Sequence, residues 1–550
     1  MKNHSIAIIT LFLCMLSTIS YAQKVLSAQE WQEDLKFLQT SVHTDYPFLF
    51  KKVTAKAFDA EVEKLHQEIP SLEPHELPVA LARIVSLFQY GHTQITFGTV
   101  AKGGVLPVNL YHFNDGVYIE GTQKAYKKVL GAKVLKIGDI PIEKALKMIR
   151  PVVPVENNSY FKAYGLRFLT VPAVLHAQKV ISKLSGEVTL ALEKGGIIFN
   201  YAFPTIALKE LSRDYNLTIP NKNWLSVRDQ TTTPLYLKHL NEQFYYFEYL
   251  AASKTMYVRQ SSVFNHDSET LKDFYKRLFA FIDGNTVDKL VYDVRLNGGG
   301  NNYNNLGLIK GLMARPKINK KGHFFYIIGR NTFSACQNLT NEIGRYTEAI
   351  IVGEPTAENV NFYGDARRVT LPHSRINAYL SFAWWQDVPQ WENRDATLPN
   401  IAIDLSFEEY KTNQDPVLEA ALNYIDDGFI LDPMKHLTQL FIAGNYAQLK
   451  TDATTISKSP KYKYYEFEKE FTDAAFRIID GGNKEGGYFI LELVAELNPT
   501  SASALYNLAN LQVDLKQIEK AKVVFEKVIE LDPNSSLARI ATKRLKELNK

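Results

Sequence analysis

Two short segments carry residue types that could do chemistry. The first, Leu290-Val-Tyr-Asp-Val-Arg-Leu-Asn-Gly-Gly-Gly300, runs from an apolar stretch into a polar turn closed by successive glycines. Glycine permits positive φ and close approach of the backbone to a ligand, and the amide groups such a turn exposes can hold an anion. The second, His323-Phe-Phe-Tyr-Ile-Ile-Gly-Arg followed by Asn331-Thr-Phe-Ser-Ala-Cys-Gln-Asn-Leu339, reads as a strand that turns into a helix at Ser334. A hydroxyl at the amino end of a helix meets free amides and the positive end of the dipole, which favour the negative charge that acyl transfer develops. On these residues alone, a helix cap for Ser334 and a structural turn for the glycines stand beside the catalytic reading. A nucleotide loop is disfavoured, because neither Gly-Lys-Ser/Thr nor the GxGxxG spacing is present.

In order and wording the two segments together resemble the catalytic core of C-terminal processing peptidases and tricorn-core serine peptidases. That family shows Asp-x-Arg-x-Asn-x-Gly-Gly, as Asp293 to Gly300 do, then Thr-x-Ser-Ala, as Thr332 to Ala335 do. It continues with Gly-x-x-Thr, here Gly353-Glu-Pro-Thr356, and a Leu-Pro strand, here Leu371-Pro372. The resemblance covers roughly residues 27–425 and leaves the tail outside. It implies a ClpP/crotonase-like α/β catalytic core and a serine peptidase acting on unfolded or short polypeptides, with Ser334 as nucleophile.

Departures from the pattern choose the branch. Processing peptidases place a lysine just after Gly-x-x-Thr, but Asn359 stands there, and no lysine occurs between Lys321 and Lys411. A Ser-Lys dyad is therefore not expected, although a hydroxyl near neutral pH still needs a base. The tricorn-like branch takes its base from a histidine ahead of a strand, matched by His92 in Tyr90-Gly-His-Thr-Gln-Ile95, and a glutamate matched by Glu392 in Trp391-Glu-Asn-Arg394. The resemblance thus implies attack by Ser334, proton transfer through His92, and stabilisation of the imidazolium by Glu392. It also implies an oxyanion held by the amides of Gly299 and Ala335, with Asn297, Gly298, Gly300 and Thr356 as supporting residues. Gly91 replaces the serine expected before the histidine, and Gln337 replaces a glutamate. These changes keep a second reading open, a catalytically decayed peptide-binding or scaffold protein of the same fold. Cys336 reads as buried filler. No cofactor and no metal are expected, since His373 and the other histidines lack the spacing of zinc sites along the chain.

The elements that must position these residues are legible as periodicities. Trp31, Leu35, Leu38, Val42 and later Phe58, Val62, Leu65 recur at helical steps, as do Leu81, Ile84, Val85 and Phe88, giving an N-terminal helical domain over 23–98. Gln94 to Phe97 alternates like a strand. Short strands over 99–195, with a helix from Ile142 to Ile149, read as a β-rich module whose Gly131-to-Pro141 stretch resembles part of a PDZ-like domain, which would bind peptide at a sheet edge. The peptidase core is expected over 196–428. Its strands are Thr255–Arg259, Lys289–Val294, His323–Ile328 and Glu348–Val352, alternating with helices Glu269–Ile282, Asn304–Met313 and Ser334–Arg345. Chemistry in such sheets gathers at the carboxyl ends of the strands, where both motifs lie. Over 429–550, Leu505, Leu508, Ala509, Ala521, Phe525, Val528 and Pro533 fit the roughly 34-residue tetratricopeptide template. An earlier copy and a helix near His436–Leu449 would complete a helical tail that could hold a protein partner.

The 550-residue chain is long enough for roughly three or four domains. Its 63 basic and 59 acidic side chains are interspersed, which argues against a nucleic-acid footprint. Residues 1–22, a lysine followed by an apolar run and Ser-Tyr-Ala22, have the layout of a secretory signal peptide, so the product is expected in a periplasmic or extracellular space. With Cys14 inside that segment, the mature chain would keep Cys336 alone and could form no internal disulfide. No later stretch is apolar enough for a membrane span.

Overall fold

The computed structural model describes residues 25–390 and 394–549. The signal-like segment 1–22 and Glu392 lie outside the described residues. Alternating strands and helices assemble as the sequence requires for an α/β core followed by a helical tail.

The core sheet has the order Tyr245–Leu250, Thr255–Gln260, Lys289–Asp293, Phe324–Ile328, Ile350–Gly353, Ile401–Ala402. The first pair is antiparallel and the rest run parallel. Strands buried on both faces must be apolar throughout, and Phe324 to Ile328 are all buried. The helices Leu271–Gly284, Leu306–Met313 and Ala335–Tyr346 follow successive strands, each within two residues of its expected bounds. Parallel order places the ends of Lys289–Asp293 and Phe324–Ile328 side by side, so both chemical motifs emerge at one edge.

The lead-in helices Ala28–Asp45, Ala55–Glu68 and Glu76–Ser86 bury the apolar faces expected of them. Ser27 opens the first with a capping box to Glu30. The third leads through Gln89, at φ +53°, to His92. The strand expected over 94–97 stops at Ile95, because Phe97 opens a short helix to Val100. Gln94–Ile95 pairs with Asn377–Gln386, which forms a long hairpin with Asn361–Thr370.

The β-rich module is an antiparallel sheet with the helix Ile142–Ile149 at its expected bounds. Residue 195, the expected module end, falls in the tight turn joining Glu187–Lys194 to Ile197–Pro204, and Trp224–Ser226 adds a further strand to the same sheet. The tail holds the helix pairs Phe467–Asp480 with Lys484–Leu497 and Ala502–Asp514 with Ile518–Leu531, packed on a core of their own. The helix expected near His436–Leu449 is two, Pro433–Ile442 and Tyr446–Ser457, because Gly444 takes φ +70° between them.

Candidate active site

Ser334 sits between Phe333 and the helix Ala335–Tyr346 with φ +55° and ψ −131°, a backbone conformation that costs an L-residue roughly 1–3 kcal/mol. Its side chain makes no capping bond to the helix it precedes, so the cap reading of this serine fails. A strained strand-to-helix turn presents a hydroxyl outward, as nucleophilic catalysis needs.

The glycine turn is fastened against that serine. Phe333 N–H donates to the Asn297 carbonyl at 3.1 Å, and Asn297 is fully buried. Gly299, at φ +102°, has no room for a side chain: a Cβ there would lie 2.6 Å from Ser334 Cβ and 3.0 Å from Ala335 N. Gly300, at φ +149°, is crowded in the same way by the backbone of Val263 and Phe264, whereas Gly298 is exposed. Behind the turn, Arg295 spans Asp415 through two bonds of 2.8 and 3.1 Å and also pairs with Asp293. Tyr257 Oη donates at 2.9 Å to the same Asp293 oxygen that Arg295 Nη2 approaches. These buried, mutually satisfied charges fix the Asp-x-Arg-x-Asn segment.

The expected pair of oxyanion donors is only half assembled. Among the described residues the Ala335 amide has no hydrogen-bond partner, which suits a donor. The Gly299 amide instead donates to Asn297 Oδ1 at 2.9 Å. That bond closes the turn on itself, because a buried side-chain oxygen beside a free N–H takes it when no substrate oxygen competes.

His92 reaches the same place on the segment that follows the helix Glu76–Ser86. Its ring stacks on Phe333, centroid to centroid 4.7 Å, and Thr93 ties the segment to the long hairpin through Ser381 at 2.9 Å. His92 Nε2 lies 3.5 Å from Oε1 of Glu358, and neither buried atom has a hydrogen-bond partner. The other oxygen of Glu358 accepts the backbone N–H of Ser334. One carboxylate thus touches both halves of the site, while no hydrogen bond joins Ser334 Oγ to His92 among the described residues. The two unpaired atoms of His92 and Glu358 face each other across the 3.5 Å gap.

Glu358 went unnoticed in the sequence because it sits in the Thr356-Ala-Glu-Asn359 segment, where the motif directs attention to the threonine and to the missing lysine. A second unnoticed carboxylate, Glu156, stands behind it. Glu156 accepts the Gly91 amide at 2.7 Å and the Asn359 amide at 3.0 Å, both buried. Nothing in the residues around Glu156 marks it, and only the fold brings it to the site. Burial pushes the Glu358 carboxyl well up, and the neighbouring Glu156 adds to this; burial raises Glu156 as well. Amide donors partly offset burial on both groups, Gly91 and Asn359 on Glu156 and Ser334 on Glu358. Burial pushes the His92 imidazole down to about 4, against a smaller opposing effect of Asp365, so it is neutral and able to accept a proton at neutral pH.

The remaining sites find physical explanations. Thr356, fully buried, donates to the Glu358 carbonyl at 3.2 Å and accepts the Thr397 amide at 2.9 Å, which holds the Glu358 segment in place. A Cβ on Gly91 would fall 2.3 Å from the Tyr160 ring, which explains why no serine precedes His92. Gln337 donates to Asn341 and Thr397, each at 2.8 Å, away from the nucleophile. Cys336 is buried in the core, and burial pushes its thiol up.

Residues 502–535 match the tetratricopeptide repeat family model. No curated protein matches. Among solved structures, the chain is similar to mature CPAF, with 11% identity over 73% of this chain and 99% of the other, at a TM-score of 0.45. It is similar also to the photosystem II D1 C-terminal processing protease, with 12% identity over 69% and 94% of the two chains and a TM-score of 0.31. With the tricorn protease it shares 13% identity over 72% of this chain and 36% of the other, at a TM-score of 0.34.

Proposed function

We propose that this chain is a serine peptidase that hydrolyses peptide bonds in unfolded or short polypeptides. The observation that carries the reading is Ser334 in a strained turn, walled by Gly299 and sharing the Glu358 carboxylate with a neutral imidazole. In this mechanism Ser334 Oγ attacks the scissile carbonyl as His92 takes its proton. The oxyanion forms at the Ala335 amide, joined by the Gly299 amide once the substrate oxygen displaces Asn297 Oδ1. His92 returns the proton to the leaving amine, and water cleaves the acyl-enzyme by the same relay. Glu358 faces the imidazolium and Glu156 shares its proton, so the pair keeps one negative charge near the charged ring. The orienting role implied for Glu392 passes in this mechanism to Glu358, whose position against His92 supports it.

The signal-like residues 1–22 support export to a periplasmic or extracellular space. The tetratricopeptide tail supports a protein partner. The second reading, a decayed peptide-binding scaffold, is favoured by one observation, the missing bond between Ser334 and His92. Catalytic hydrogen bonds are often long before substrate binds, so the peptidase reading stands first.

Incubation with an unstructured casein-like substrate separates the two. The wild-type chain is expected to cleave it and Ser334→Ala to cleave it at least a thousandfold more slowly. Equal cleavage by both proteins would overturn the assignment, and no cleavage by either with retained peptide binding would leave the scaffold.

A further inference from the structure

A second cluster of ligand-type side chains lies away from Ser334, where the helix Glu76–Ser86 begins. His75 and His176, 101 residues apart in sequence, meet in a hydrogen bond of 2.9 Å between Nε2 and Nδ1, whose proton would have to move to another ring nitrogen for a cation to take its place. Glu73 Oε2 lies 3.3 Å from His75 Nδ1, and Glu76 Oε1 lies 3.6 Å from His176 Nδ1. Glu73, His75 and His176 offer ligand atoms that all fall within 4.8 Å of one another. For bonds of about 2.0 Å, neighbouring ligand atoms of a tetrahedral zinc site stand about 3.3 Å apart. The observed separations of 2.9 and 3.6 Å bracket that value, so a cation needs only side-chain adjustments to be enclosed.

We propose that His75, His176 and a flanking glutamate form a zinc-type cation site that clamps the lead-in helix Glu76–Ser86 to the helix Pro172–Ala177. The arrangement of the outer groups supports it. Glu73 Oε2 stands 3.3 Å from His75 Nδ1 while His75 Nε2 faces His176 Nδ1, an arrangement in which a carboxylate can fix the tautomer of a metal-bound histidine. Both imidazoles are mostly enclosed. Lys179, whose ammonium lies 3.7 Å from Glu76 Oε1 on a largely exposed side chain, is the cation a metal would displace. Spacing along the chain concealed the site, because its two histidines come from different elements.

The clamp has a mechanical consequence. The clamped helix ends at Ser86, and the chain that leaves it carries His92 six residues later. With Cys336 the only cysteine among the described residues, no disulfide does this stapling.

The test uses the untagged full-length chain dialysed against micromolar zinc, with bound metal counted by elemental analysis and the melting temperature followed. The wild type is expected to retain about one zinc per chain and to melt higher with zinc than with chelator. The double variant His75→Ala/His176→Ala should lose both effects. Glu73→Gln should weaken zinc binding by roughly 10–100-fold while preserving the fold. No zinc retained by the wild type overturns the proposal, as does full retention by the double variant, which would place the metal elsewhere. If the double variant does not fold, undiminished binding by both Glu73→Gln and the single variant His176→Gln has the same force.

Discussion

The two halves of the candidate site are held in different ways. Ser334 and the glycine turn are fixed by main chain at the ends of adjacent parallel strands, with the Arg295 ion cluster behind them, although Asn297 Nδ2 is buried without a partner. His92 arrives on a connection from the N-terminal helices, stacked on Phe333 and facing Glu358 across 3.5 Å, with both facing atoms unpaired. The first half is held largely by main chain and the second is poised. In the proposed mechanism the larger adjustment falls on the histidine side, where a small approach would satisfy both atoms, while the glycine turn need only release the Gly299 amide from Asn297 Oδ1.

That comparison is sharpened first by His92→Ala. Turnover is expected to fall by roughly three to six orders of magnitude, because members of such a triad act as a unit. A fall of less than tenfold would show that the poised half is not the base.

Next, Glu358→Gln should reduce kcat/KM by about 10²–10⁴-fold, because the imidazolium loses its carboxylate partner. Glu392→Gln is expected to change it less than tenfold. The reverse order of effects would move the acid from the observed carboxylate to the one the family pattern implies.

A smaller effect tests the packing between the halves. Gly91→Ser pushes a Cβ into the Tyr160 ring and should destabilise the protein by about 1–3 kcal/mol in urea titration. No change in the midpoint would mean that the lead-in connection yields easily.

The smallest effect is in pH. Since His92 is pushed down to about 4, kcat/KM should keep its acid limb near 4, not near 6.5. The sign for stability is the same: an imidazole buried neutral binds fewer protons than in the unfolded chain, so its contribution is full above about 6.5 and is lost as pH falls towards 4. His112, also pushed down to about 4 by burial, acts in the same direction. A limb near 6.5 would mean that His92 is open to water in solution.

The two halves also differ in how far they could be read from the chain. The strand-turn-helix segments around Asn297 and Ser334 are local, with apolar strands, glycines and helix periodicity within a few residues, and the elements fall close to their expected bounds. Glu358 and Glu156 could not be read that way, because a carboxylate in a polar loop looks solvated until the fold buries it. The short strand before Phe97 and the break at Gly444 show the same limit on a smaller scale: a period of two or of 3.6 locates an element, while a single turn residue decides where it stops.

The central claim is that Ser334 is the activated nucleophile, and the most direct measurement is intact-mass and peptide analysis after exposure to a serine-reactive phosphonate at neutral pH. The account predicts one adduct, mapped to Ser334, absent in Ser334→Ala and formed far more slowly in His92→Ala. An adduct on another serine, or equal labelling of the wild type and the His92→Ala variant, would contradict it.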